Sequence, residues 1–231
     1  MVGRSARPLL CPVLLSFLLN ACGEKGEQIP PEAEGPPDES HPALLIPALA
    51  RDSAPSRFQV RFLTSKGVFV IEAERESAPH GVDRLYNLIR IGYFRDIAFY
   101  RAVEGFVVQF GVHGDPEINL IWADATIPDD PVRASNVRGS LSFAQEGPRS
   151  RATQLFINLS DNPGLDEHFT PVARVVEAMT VVDALYTGYG ELAPKGKGPR
   201  PALLTQLGNA YLKRQFPEMD YIETVELSSV P

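Results

Sequence analysis

Two short runs, Phe58–Thr64 (FQVRFLT) and Val68–Ala73 (VFVIEA), alternate apolar and polar residues on either side of Ser65-Lys66-Gly67. Period-two alternation around a glycine-bearing turn predicts a β-hairpin. The period then changes. Ser77 and Pro79 read as a capping residue and a first-turn proline, Val82, Leu85, Leu88 and Ile89 recur at helical spacing, and Gly92 is placed to end the helix. Two further strands, Phe99–Val103 and Phe106–Phe110, flank a Glu104-Gly105 turn. Residues two apart in a strand share a face, so Phe99, Arg101 and Val103 should oppose Tyr100 and Ala102, with Val107 and Gln109 opposing Phe106, Val108 and Phe110.

Residues 112–136 carry the single tryptophan, Trp122, among prolines and aspartates, and read as a long irregular loop anchored by that side chain. Gly139–Ala144 and Thr153–Leu159 read as strands, Leu165–Phe169 as a turn, Pro171–Val176 as a strand and Ala178–Leu185 as a helix. A glycine- and proline-rich loop, Thr187–Pro201, precedes a short helix near Asn209–Phe216 and a strictly alternating closing strand, Tyr221–Leu227. Many short strands with two or three helices predict a mainly β fold, a closed antiparallel barrel with helices over its open ends.

Composition narrows the functional classes. A net charge of -7 and a sequence pI near 5.2 argue against nucleic-acid binding, which rests on clustered Lys and Arg. The two cysteines, Cys11 and Cys22, both lie near the N-terminus, so neither a disulfide framework nor a thiolate metal site is expected in the body of the chain. The four histidines lack metal-ligand spacing, and His113-x-Asp115 reads as a turn. No metal or cofactor is expected.

The N-terminal residues read as an address. Arg4 and Arg7 precede an apolar run, Pro8–Leu19, that is shorter than the ~20 residues a membrane-spanning helix needs. It closes on Leu19-Asn20-Ala21-Cys22, which resembles the bacterial lipobox, with Cys22 as the lipidated residue and residues 1–21 as signal peptide. An ordinary signal peptide ending near a cysteine is the alternative. Residues 22–57 read as a disordered Pro/Glu-rich tether, with Ala43–Ala50 a short sticky piece of it, and residues 58–231 as the folded domain. The expected location is the extracytoplasmic face of a membrane in a bacterial cell envelope.

Taken alone, Arg101 reads as a surface charge on a half-buried strand. The wider pattern changes that. Phe99, Arg101, Gly105, Phe106, Gln109 and Gly111 meet F-x-R-x-x-x-G-F-x-x-Q-x-G, Gly139–Ser142 and Ala144 meet G-S-L-S-x-A, Gln154, Phe156 and Ile157 follow as Q-x-F-I, and Leu165-Asp166 closes the set. In these blocks the chain resembles the cyclophilin family of peptidyl-prolyl cis-trans isomerases from about Phe58 to Leu227. The resemblance implies a closed eight-stranded antiparallel barrel with a substrate groove on its outside, acting as a monomer on proline-containing polypeptides. It implies Arg101 as the catalytic guanidinium and Phe106, Val107, Phe156, Leu165 and Phe169 as the proline pocket. Gln109 and main-chain groups near Gln145 would bind the substrate backbone, Ala144 and Gln154 would flank the pocket for the preceding residue, and Tyr100 and Phe143 complete the expected contacts.

Three positions depart from the family pattern. Tyr100 stands where histidine is common, Phe169 where a histidine is usual, and Gly164 where many members have tryptophan. The first two keep a donor and an apolar wall, but Gly164 removes a wall, so weak cyclosporin binding is expected. A binding or chaperone module that keeps the groove with little turnover is the alternative function.

Overall fold

The computed structural model describes residues 41–228. The expected signal peptide, Cys22 and the first part of the tether therefore lie outside the described residues. Nine strands form one antiparallel sheet: β1 (Arg57–Thr64), β2 (Gly67–Glu74), β3 (Ile97–Ala98), β4 (Arg101–Ala102), β5 (Val107–Phe110), β6 (Ser140–Phe143), β7 (Leu155–Asn158), β8 (Pro171–Glu177) and β9 (Tyr221–Ser228). Their order is β3-β9-β1-β2-β8-β6-β7-β5-β4. The two edge strands are consecutive in the chain and separated only by Phe99 and Tyr100, so both edges of the curled sheet belong to one run, Ile97–Ala102. Among the described residues no ladder joins β3 to β4, so the barrel is not fully closed. Eight strands are recovered when the run is counted once.

The interruption has a cause that bears on the site. β3 pairs with β9 and β4 with β5, so the run changes partner at its middle. Ile97, Phe99 and Ala102 pack into the main core, whereas Ala98 and Tyr100 join a second apolar cluster outside it. Tyr100 and Arg101 both turn outward, toward Gln154 and Gln109, so alternation slips by one residue between them. The expected sharing of a face by Phe99 and Arg101 is thereby corrected.

Phe62, Phe69, Phe94 and Phe110 are fully buried in the barrel, each contributing roughly 1.5–3 kcal/mol by leaving water. Helix α1 (Pro79–Arg90) buries Val82, Leu85, Leu88 and Ile89 against them. Ser77 does not cap α1. The carboxylate of Asp130 instead accepts from the backbone N–H groups of His80 and Gly81 at 2.9 and 2.8 Å, satisfying donors that the first helical turn leaves open.

Residues 112–136 are more regular than their composition suggests, because Pro116–Ala123 form helix α2. The Asp115 side chain caps it, and His113 Nδ1 accepts from the Asp115 N–H, so this pair builds a turn. Trp122 is fully buried on α2, and its Nε1–H donates to the Leu44 carbonyl at 3.0 Å. The start of the sticky stretch, Ala43 and Leu44, is therefore seated in the main core, as is Ala54 further along the expected tether, while Leu45, Ile46 and Leu49 stay exposed. Backbone N–H groups of Asp52 and Ala54 donate to Asn87 and Asp83 on α1.

Helix α3 (Met179–Asp183) is short, and α4 (Pro201–Gln215) begins well before the expected Asn209. Gly208 breaks α4 with φ 50° and ψ -138°, where an added Cβ would sit 2.0 Å from the Gly114 carbonyl oxygen. Leu204, Tyr211, Leu212 and Phe216 form the second cluster over Ala98, Tyr100 and Val112. α4 thus packs against the outer surface beside Arg101.

Candidate active site

The site begins as a row across four strands. Arg101 on β4 pairs with Gln109 on β5, Gln109 with Phe156 on β7, and Phe156 with Ser142 on β6. Directly opposed residues of adjacent strands share a face, so register alone sets a guanidinium, an amide and a phenyl ring side by side. Val107 lies on this outer face, while Val108 and Phe110 face the core.

A chain of hydrogen bonds orients the polar members. Tyr100 Oη donates to Gln154 Oε1 at 2.7 Å, and Gln109 Nε2 donates to the same oxygen at 3.3 Å. Arg101 Nη1 donates to Gln109 Oε1 at 3.2 Å. Tyr100 is 2% exposed, and burial pushes its phenol well above the ordinary range, so it remains a neutral donor. Its part in the groove is to hold Gln154.

The other side of Arg101 meets a residue from the 187–201 loop. Glu191 accepts from Arg101 Nε at 2.6 Å and from Nη2 at 2.7 Å, a bidentate pair between residues ninety positions apart. Hydrogen bonds from Arg101 hold the Glu191 carboxyl below its ordinary range. The pairing is built into the fold, since Gly190 bridges to Ala102 next to Arg101 and Gly198 N–H donates to the Glu191 carbonyl.

The apolar pocket lies beside the row. Arg101 Cζ is 5.7 Å from the Phe106 ring centroid, and Phe156 and Phe169 meet edge to face at 5.4 Å. Phe169 N–H donates to the Leu165 carbonyl, and the Asp166 carboxylate accepts from Asn136 N–H and Nδ2 at 2.7 and 2.9 Å. Asn136 Nδ2 also donates to the Phe169 carbonyl at 2.8 Å and is itself fully buried. Leu165 and Phe169 are thus hung from one asparagine. Hydrogen bonds from Ser135 and Asn136 keep Asp166 below its ordinary range.

A groove of about 510 Å³ continues from this row, lined among others by Tyr100, Gln109, Ala144, Gln145, Gln154 and Leu192. Ala144 N–H donates to the Gln154 carbonyl, and Gln145 Nε2 donates to the His168 carbonyl at 2.7 Å. At Gly164 an added Cβ would meet nothing within 4 Å, so that side of the pocket is open.

One expected contact fails. Phe143 is 1% exposed and packs in the main core, because on β6 it is Ser142, opposite Phe156, that turns to the outer face. Among the described residues no three His, Cys, Asp or Glu side chains are grouped to hold a metal.

This geometry can be set beside known proteins. The sequence model of the family described as cyclophilin type peptidyl-prolyl cis-trans isomerase/CLD matches residues 59–201. The chain is a cyclophilin-type peptidyl-prolyl cis-trans isomerase. The peptidyl-prolyl cis-trans isomerase ppi1 of Schizosaccharomyces pombe is 33% identical over 130 residues, which cover 53% of this chain and 81% of the relative. A probable peptidyl-prolyl cis-trans isomerase of Brucella abortus is 30% identical over 158 residues, covering 63% of this chain and 81% of that one. In fold, a cyclophilin of Cryptosporidium parvum superposes with a TM-score of 0.58 at 20% identity, over 76% of this chain and 99% of that structure. The same Cryptosporidium protein, solved in the presence of the dipeptide ala-pro, superposes with a TM-score of 0.56 at 19% identity, over 74% of this chain and 99% of that structure.

Two residues of this cyclophilin site carry no local sequence signal. Asn136 stands in a stretch read as loop, and Glu191 is an acid in a run of glycines, prolines and lysines. Only the acid's isolation in the 187–201 loop hints at a partner elsewhere.

Proposed function

We propose that Arg101 is the catalytic donor of this isomerase and that the protein acts on proline-containing segments of secreted or envelope proteins while anchored to a membrane through lipid on Cys22. Rotation about an X-Pro bond costs about 18–20 kcal/mol, because amide resonance must be lost. In the twisted state the prolyl nitrogen regains a lone pair and becomes an acceptor. A permanently charged, planar donor beside an apolar ring pocket favours that state over either ground state. An acceleration of roughly 10⁵ needs about 7 kcal/mol of differential stabilisation. The observation that carries the reading is the row Arg101, Gln109, Phe156, with the guanidinium next to Phe106.

Support for the anchor is confined to the sequence, in Arg4, Arg7, the apolar run and Leu19-Asn20-Ala21-Cys22. Among the described residues no helix is long and apolar enough to cross a membrane.

Exchange spectroscopy on an Ala-Pro peptide tests the first part. Acceleration by the wild type that disappears in Arg101→Ala supports it, while equal acceleration by both removes Arg101 from the reaction. For the anchor, Cys22→Ser should move the protein out of the membrane fraction, and a mutant that stays there contradicts lipidation.

A further inference from the structure

We infer that Glu191 is a positioning residue for the isomerase reaction, holding the Arg101 guanidinium in its donating orientation before substrate arrives. The inference rests on Arg101 being the catalytic donor. A guanidinium carries five N–H groups. Three are engaged here, Nε and Nη2 by Glu191 and Nη1 by Gln109. One N–H on each terminal nitrogen is left over, while the guanidinium lies beside Phe106 at the edge of the proline pocket. The carboxylate therefore occupies the flank of the guanidinium and leaves donors at its tip.

Glu191 is itself held. Its Oε1 also accepts from the Leu192 N–H at 2.8 Å, and its backbone is tied to Gly198. The neighbouring Gly190 bridges to β4 at Ala102, one residue from Arg101. A carboxylate fixed to the same strand as the arginine moves with it, as a bracket does and a mobile lid would not. With Gln109 on the opposite flank, the long arginine side chain is clamped from two sides. The order needed for donation is then present in the free enzyme, so the effect should appear in turnover more than in binding.

Glu191→Gln tests this. Its amide oxygen can accept one of the two Arg101 donors, but its NH₂ opposes the other, so the bidentate clamp is lost with little change in size. With an Ala-Pro peptide and the full chain, we expect kcat to fall about tenfold with KM within about twofold. The Arg101 Nε–H resonance, expected to exchange slowly with water in the wild type because Glu191 accepts from it, should broaden or shift in the variant. Unchanged kcat overturns the inference, and so does a raised kcat, which would mean that Glu191 masks the arginine. Glu191→Asp, which keeps the charge on a shorter stem, should recover part of the loss, and no recovery beyond Glu191→Gln counts against the clamp. Should Glu191→Gln unfold, the Glu191→Asp kinetics and the wild-type Nε–H exchange rate still decide the matter. Arg101→Ala separates the two readings. If it retains activity, the catalytic assignment of Arg101 falls, whereas an inactive Arg101→Ala beside a fully active Glu191→Gln removes only the clamp.

Discussion

The two sides of Arg101 are built by different means. On the sheet side, Gln109 and Phe156 stand where strand register puts them, within a ladder whose every rung is antiparallel backbone pairing. On the loop side a single carboxylate, Glu191, reaches across ninety positions from a segment bound to β4 by one bridge. A register error on the sheet side would turn every side chain of a strand to the other face, so that side is fixed cooperatively. The loop side rests on one bidentate ion pair, whose loss would leave the backbone pairing of the sheet intact. The sheet side thus answers for the existence of the site and the loop side for its tuning.

That contrast can be broken most severely at Gly111. Its φ is 100°, and an added Cβ would lie 2.3 Å from the Thr153 carbonyl oxygen, so Gly111→Ala drives β5 away from the chain leading into β7. We expect a loss of roughly 4 kcal/mol, or no folded protein, in urea denaturation. Asn136→Ala comes next. It strips the Nδ2 donor from both Asp166 and the Phe169 carbonyl, leaving only the backbone N–H to Asp166, and should cost about 2 kcal/mol in the same experiment while raising KM for an Ala-Pro peptide.

A smaller effect depends on pH. Glu72 on β2 accepts from Gln59, Arg57 and Arg174, and these bonds, that of Gln59 foremost, hold its carboxyl below the ordinary range. Because the folded value lies below the unfolded one, this stabilisation is complete above the unfolded value and is lost as pH falls through the folded value. Glu72→Gln should flatten that part of the acid-side decline in a series of urea midpoints, and an unaltered decline counts against it. The smallest change in stability is expected for Gly164→Trp. The open space there should hold the ring with the unfolding free energy within about 0.5 kcal/mol of wild type. By closing the pocket it should raise cyclosporin affinity about tenfold or more by titration calorimetry.

How much of this was legible in the sequence follows the same division. The hairpin β1–β2, the apolar face of α1 and the strands β5 to β9 follow from local alternation and turn residues, whereas Arg101, Gln109 and Phe156 are brought together in the sequence only by the resemblance of their motifs to the cyclophilin family. The slip between Tyr100 and Arg101 did not, because it arises where the chain exchanges β9 for β5, and local alternation carries no record of partners. Phe143 was assigned to the groove for want of that same facing information. α2 and the first half of α4 were hidden by proline and glycine, yet Pro116 and Pro201 sit in the first turn, where proline is tolerated. The docking of Ala43 and Leu44 depends on Trp122, and the clamp on Glu191, contacts that bring together distant parts of the chain.

In the proposed mechanism a planar guanidinium, held between sheet and loop, stabilises the twisted amide. The most direct test is exchange spectroscopy of an Ala-Pro peptide with wild type, Arg101→Ala and Arg101→Lys, each checked for an unchanged fold by its amide spectrum. Cis–trans exchange should be fast only with the wild type, and at least about a hundredfold slower with lysine, which keeps the charge but loses the planar fork. Exchange with lysine at the wild-type rate would contradict that mechanism.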